Sequence, residues 1–132
     1  MSGTPTTKRV IARGQGASPG QATGEIVFRS EDAVLGAAQG RSIILVRIET
    51  GHEDVEGLKV AVGVVTTRGG LTSDAAIIAR ALGKPCIAGC SAMVVNYKAE
   101  KVTIGRDDAT GLVLAKGHVI TIDGAKGMIY DG

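Results

Sequence analysis

Two hydroxyls able to bind an anion, on Thr72 and Ser73, stand between the turn Arg68-Gly69-Gly70 and the carboxylate of Asp74. Two glycines let the backbone fold tightly there. The hydroxyls fall where the first N–H groups of a following helix point outwards, and such a helix start attracts anions through its dipole and its free N–H groups. Local pattern alone favours a capped strand-to-helix connection with no ligand, since glycine and serine are ordinary residues of such turns. The segment is not a Walker loop, because the glycine-lysine-hydroxyl ending is absent. A second glycine-rich stretch, Gly14-Gln-Gly-Ala-Ser-Pro-Gly20, lacks the dinucleotide-binding glycine spacing and precedes a strand, so it reads as a tight turn. Cys86 and Cys90 form a single C-x3-C with no second pair and no nearby histidine, which argues for two buried thiols and no metal. His52 and His118 show no carboxylate or thiol partner and read as surface residues; Asp107-Asp108 reads as a polar turn.

The elements that must position these residues follow from periodicity. Ser73 to Leu82 is the best helix of the chain, with capping residues at its start and Gly83 then Pro85 at its end. It is apolar nearly all round, which predicts burial on most faces. Before it, Val60 to Thr67 reads as a buried strand, Glu53 to Leu58 as one helical turn and Ile43 to Ile48 as a continuous β-branched strand. Ser30 is placed to cap a short helix running to about Ala38. Further strands are expected at 9–13 and 22–28, and around 86–88, 93–96, 102–104, 111–115, 119–122 and 128–130. Many short strands with one strong helix argue for an α+β fold, a β/β/α sandwich, and not a doubly wound sheet. Residues 1–8 read as a flexible tail and 9–132 as one domain.

Composition narrows the function classes. The 132 residues are 44% hydrophobic and 21% charged, as in ordinary globular chains. Only Phe28, Tyr97 and Tyr130 are aromatic, so the core is aliphatic and base-stacking platforms are nearly excluded. A net charge of +2 without a basic block is too weak a footprint for a nucleic-acid partner. No apolar run approaches the roughly 18 residues of a membrane span. With two cysteines and no leader pattern, the expectation is a reduced, cytoplasmic protein without a membrane partner.

Read as a string, Gly69-Gly-Leu-Thr-Ser-Asp-Ala-Ala-Ile-Ile-Ala-Arg80 resembles the signature of the phosphohistidine (mobile, swivelling) domain of phosphoenolpyruvate-utilising enzymes, most of all the pyruvate phosphate dikinase type. The resemblance covers nearly the whole chain. Gly16-Ala-Ser-Pro-Gly20 with Gly24-Glu-Ile-Val-Phe28 is similar to the family's opening. Ile44-Leu-Val-Arg-Ile-Glu-Thr50, Glu53-Asp54 and Gly57 are similar to the segment before the signature. Gly83-Lys-Pro-Cys-Ile-Ala-Gly-Cys90 is similar to the segment after the signature, and Ile120-Thr-Ile-Asp-Gly124 and Gly127-Met-Ile-Tyr-Asp-Gly132 are similar to the closing strands of the domain.

The resemblance implies a β/β/α swivelling domain. In that family a histidine at the start of the helix relays a phosphoryl group between a nucleotide site and pyruvate or phosphoenolpyruvate on neighbouring domains. Neither neighbouring domain is expected within this chain, so Mg and ATP are not expected as its cofactors. The histidine position is Asp74. An imidazole nitrogen is nucleophilic near neutral pH and makes a high-energy phosphoramidate, an adduct that a carboxylate cannot form. Asp74 therefore reads as a vacated carrier position in a stand-alone domain, with Arg68, Gly69, Gly70, Thr72 and Ser73 as the phosphate loop and Arg80 as a candidate anion contact. The alternative is a non-catalytic binding or regulatory module in which Asp74 mimics the phosphorylated state and the 69–74 face docks a partner. An acyl phosphate on Asp74 ranks last, because it needs Mg2+ and supporting carboxylates and no acidic cluster is evident. Thr72 matches a regulatory phosphorylation site of some members.

Overall fold

A computed structural model describes residues 9–105 and 111–132. The expected tail at 1–8 and the turn at Asp107-Asp108 lie outside the described residues. The chain runs β1 (Val10–Arg13), β2 (Gln15–Ser18), β3 (Gln21–Val27), α1 (Ser30–Ala38), β4 (Ile43–Arg47), a 3-10 turn (His52–Asp54), α2 (Val55–Val60), β5 (Gly63–Thr66) and α3 (Asp74–Leu82). There follow β6 (Cys86–Ala88), β7 (Met93–Asn96), β8 (Lys101–Ile104), β9 (Val113–Ala115), β10 (Val119–Asp123) and β11 (Met128–Asp131).

β4 explains the layering. Its first four residues, Ile43 to Val46, are all buried, as a parallel strand covered on both faces must be. Successive side chains point to opposite faces. Ile44 and Val46 join a core with Ile26, Phe28, Met93, Val102, Ile104 and Leu114, while Ile43 and Leu45 join Ala33, Leu58, Ala75, Ala76 and Ala79 from the helices. One face of the large sheet thus meets the small sheet β7-β8-β9, and the other meets all three α-helices. The result is a mixed α/β structure in β/β/α layers.

The large sheet has eight strands in the order β1-β11-β10-β3-β4-β5-β6-β2. From β3 to β6 the strands are parallel neighbours, and a helix makes each crossover. Strand-to-strand connections make up the C-terminal half, whereas the middle of the chain is built of βαβ units. β1 and β2 are consecutive in the chain yet form opposite edges of the sheet. The sheet curls until these edges meet the β10–β11 turn. Gly14 N donates to Gly127 O at 2.9 Å, and Gly124 N donates to Gly20 O at 2.7 Å. A Cβ on Gly124 would lie 1.8 Å from the carbonyl oxygen of Ser18, so only glycine fits this backbone crossing.

Three local expectations are corrected. Residues 14–20 are not simply a turn: Gln15–Ser18 is β2, paired antiparallel with β6. Val60 ends α2, so the strand expected from residue 60 begins at Gly63. Ser30 does not cap α1. The cap position is Arg29, which makes no side-chain cap bond, and the Ser30 hydroxyl accepts instead from Gly57 N of α2 at 2.8 Å. Among the described residues no helix is long and apolar enough to cross a membrane.

Candidate functional site

β4 and β5 are parallel neighbours, so their C-terminal ends leave the sheet side by side. The ladder continues past both strands: Thr67 N donates to Arg47 O at 3.1 Å and Arg68 N to Ile48 O at 3.0 Å. The chain then turns through Gly69, at φ +87, where a Cβ would come within 2.9 Å of the Ser73 Cβ. Ser73 closes the turn and opens α3. Its hydroxyl donates to Gly70 O at 2.8 Å and accepts from Ala76 N at 3.4 Å, and its own N–H donates to Gly70 O at 3.1 Å. Ala76 N and Ile77 N are thereby satisfied. The two remaining first-turn amides, of Asp74 and Ala75, have no partner inside the helix.

These strand ends and the helix start enclose a cavity of about 230 Å3. Glu49 and Thr50 line it after β4, Thr66 at the end of β5, Arg68 and Gly69 just beyond, and Ser73, Asp74 and Ala75 at the start of α3. Asp74 is the first residue of α3 and is exposed. Neither the Asp74 carboxylate nor the exposed Arg68 guanidinium has a hydrogen bond or ion pair among the described residues. The Thr50 hydroxyl is buried and likewise has no hydrogen-bond partner. Thr66 Oγ1 donates to Arg68 O at 2.9 Å, which holds the loop against its strand.

Beneath the cavity, Arg47 ties the layers together. Its Nη1 donates to Phe28 O at 2.9 Å and its guanidinium lies 4.6 Å over the Tyr97 ring. Its Nε is 3.3 Å from Oδ1 of Asp54, which is only 1% exposed. That contact is not aligned as a hydrogen bond, so its attraction is chiefly Coulombic. Asp54 Oδ2 accepts from Gly51 N at 2.9 Å, and Tyr97 Oη accepts from Ile48 N at 2.7 Å. The segment carrying Glu49 and Thr50 is held from both ends.

Of the residues singled out in the sequence, Arg68, Gly69, Ser73 and Asp74 meet at this cavity, and Gly70 supplies the carbonyl that fixes the turn. Thr72 is exposed and does not line it. Arg80 is also away from the lining: its guanidinium donates to Ala17 O at 2.9 Å and Leu71 O at 2.7 Å, binding β2 and the loop to α3. Glu49, Thr50 and Thr66 went unnoticed as cavity residues. Their signal was the position just past two strands that proved to be parallel neighbours, where ligands of open α/β sheets sit.

Cys86 and Cys90 are free and buried, and burial pushes their thiols up to about 11 and about 12. His118 is corrected: its Nε2 lies 2.7 Å from Asp131 Oδ1, a partner that the β10–β11 pairing brings alongside. Among the described residues no three His, Cys, Asp or Glu side chains are grouped to hold a metal ion.

Comparison with known proteins bears on this site. The family model described as "PEP-utilising enzyme, mobile domain" matches residues 40–127, which include every residue of the cavity. The chain is 47% identical over 123 residues to a pyruvate, phosphate dikinase of Rhizobium meliloti (strain 1021), covering 93% of this chain and 13% of that protein. It is 49% identical over 124 residues to pyruvate, phosphate dikinase 2 of Oryza sativa subsp. japonica, covering 94% and 13%. The chain thus spans about an eighth of the length of these curated relatives. Among solved structures, the N-terminal domain of Enzyme 1 - Nitrogen aligns at a TM-score of 0.47 and 27% identity, over 68% of this chain and 32% of that one. With the family model matching well over half of the chain and its relatives aligning over nearly all of it, this chain belongs to the family of mobile domains of PEP-utilising enzymes.

Proposed function

We propose that the chain is a swivelling, carrier-type domain of the pyruvate phosphate dikinase kind in which Asp74 occupies the phosphoryl-accepting position and leaves the domain unable to carry phosphate. The observation that supports this most is the state of Asp74. It is the first residue of α3, exposed, unpaired among the described residues and at a cavity that also holds, among those residues, an unpaired cation at Arg68 and a partnerless hydroxyl at Thr50. A side chain kept for stability is ordinarily paired or buried; this one is neither. In a carrier, the ring nitrogen's lone pair would attack phosphorus, and the leaving oxygen would keep the electrons of the broken P–O bond. The Asp74 carboxylate is a far weaker nucleophile and presents no such nitrogen. Nucleotide and pyruvate sites belong, on this reading, to other domains or polypeptides.

The unpaired carboxylate also supports a second reading. Held at the positive end of α3, it is a fixed anion where a carried phosphoryl group would sit, so the 69–74 face would dock a partner domain in its phosphorylated-like form. One experiment separates the readings. The chain is incubated with phosphoenolpyruvate and the pyruvate-binding domain of a dikinase relative, as the Asp74 form and as Asp74→His and Asp74→Asn. The first reading predicts acid-labile phosphate on Asp74→His alone, with equal docking of the Asp74 and Asp74→Asn forms. Tighter docking of the Asp74 form supports the second, and phosphate on the Asp74 form overturns both.

A further inference from the structure

We infer that the groove between α1 and α2 is a docking surface for an amphipathic helix that carries lysine or arginine beside its apolar face. α1 is turned inside out. It buries Ser30, Ala33 and Gly36 and exposes Val34 at 39% and Leu35 at 57%. Close packing explains the small residues on the inside: a Cβ on Gly36 would lie 2.6 Å from Ile43 Cδ1, and one on Gly57 would lie 2.6 Å from Ser30 Oγ. Nothing in that packing calls for a leucine and a valine on the outside. Both face solvent in a groove of about 730 Å3, together with Ala38, a volume within the range of about 300–1,000 Å3 usual for ligand sites.

The rim of the groove selects the occupant. Its charged residues are Glu31, Glu53 and Glu56, and among the described residues no cation lines it, although the whole chain carries a net charge of +2. Glu31 has no ion pair among the described residues. Glu53 stands 3.9 Å from Arg47 at 72% side-chain exposure, and Glu56 meets only the exposed Lys59 at 3.4 Å. Exposed pairs of this kind are weak and leave their carboxylates open to a better partner. An apolar floor of helix-spaced side chains with an acidic rim fits the helix-in-groove mode of recognition. The same rim repels an anionic lipid surface or a nucleic acid. The described helices offer no such basic face to a second copy: α1 and α2 together contain a single basic residue, Lys59, and the one basic side chain of α3, Arg80, is tied to Ala17 O and Leu71 O.

The test is an NMR titration of the full chain with two synthetic helical peptides that share one leucine pattern, flanked by lysine in one and by glutamate in the other. The lysine peptide is expected to shift amides of 31–38 and 53–56, and the glutamate peptide to leave them unmoved. Leu35→Ser removes an exposed side chain and should keep the fold while weakening the lysine peptide about tenfold or more, as loss of a central anchor does. Glu31→Gln with Glu56→Gln should weaken it further and lower its salt dependence. Equal binding of both peptides, shifts centred elsewhere, or unchanged affinity in Leu35→Ser would overturn the assignment. So would a concentration-dependent dimer abolished by Leu35→Ser, since the groove would then bind a second copy.

Discussion

Replacing Ser73 by alanine should destabilise the domain more than replacing Asp74, although the two are adjacent at the start of the same helix. The Ser73 hydroxyl makes two contacts, a donated bond to Gly70 O at 2.8 Å and an accepted one from Ala76 N at 3.4 Å. The longer contact places the cap near the low end of the usual range, about 0.5–1 kcal/mol. The loop bond adds about 0.5–1.5 kcal/mol, for a total of about 1–2.5 kcal/mol. Asp74 makes neither contact and offers only an exposed carboxylate to the helix dipole, about 0.3–1 kcal/mol at low ionic strength. With a urea m-value of about 2 kcal/mol/M, the midpoint should fall by roughly 0.5–1.2 M for Ser73→Ala and by at most about 0.5 M for Asp74→Ala. Raising the salt concentration should shrink the Asp74→Ala effect and leave the Ser73→Ala effect nearly unchanged. If Asp74→Ala is the costlier change at any salt concentration, Asp74 is a structural residue and cannot be read as a vacated carrier position.

Gly124→Ala should prevent folding or cost more than about 3 kcal/mol, because the new methyl would meet the Ser18 carbonyl at 1.8 Å and that carbonyl is backbone with no rotamer to yield; a thermal melt near that of the parent would contradict the crossing. Ala79 is 1% exposed against the sheet, so Ala79→Leu should cost about 1–3 kcal/mol by overpacking. Ile78 is only partly buried, so Ile78→Ala should fall below the about 2–5 kcal/mol of a fully buried site; urea midpoints in the reverse order would show that α3 packs through Ile78. Since burial holds the Cys86 and Cys90 thiols at about 11 and about 12, iodoacetamide at about pH 8 should modify them only as fast as the chain opens. Rapid alkylation of the folded chain would mean that they lie near the surface.

What the sequence conveyed depended on how local each signal was. α3 was legible because its start, its apolar run and its end at Gly83, which adopts φ +69, lie within one short stretch. β4 was legible because a strand covered on both faces carries a continuous apolar run, here Ile43 to Val46. β2 was hidden: Gln15-Gly-Ala-Ser18 has turn composition, and its strand character comes from pairing with Cys86 to Ala88, far along the chain. The same distance concealed the pairing of His118 with Asp131 and the crossing of Gly124 over Ser18. At the site, Arg68 to Asp74 formed a readable motif. Glu49, Thr50 and Thr66 became its neighbours only because β4 and β5 run parallel side by side. Ser30 was misread because a serine before an acidic pair is a good cap by composition, while its hydroxyl is held by α2.

If position 74 is where this fold would receive a phosphoryl group, mapping the site of modification will locate the group there. Asp74→His and the Asp74 form are each exposed to phosphoenolpyruvate with the pyruvate-binding domain of a dikinase relative, then cleaved at neutral pH and sequenced by mass spectrometry. One acid-labile phosphoryl group is expected on the peptide that begins α3 in Asp74→His, at residue 74, and none in the Asp74 form. A folded Asp74→His variant that stays unmodified, or that carries the group at any other residue, would contradict that placement.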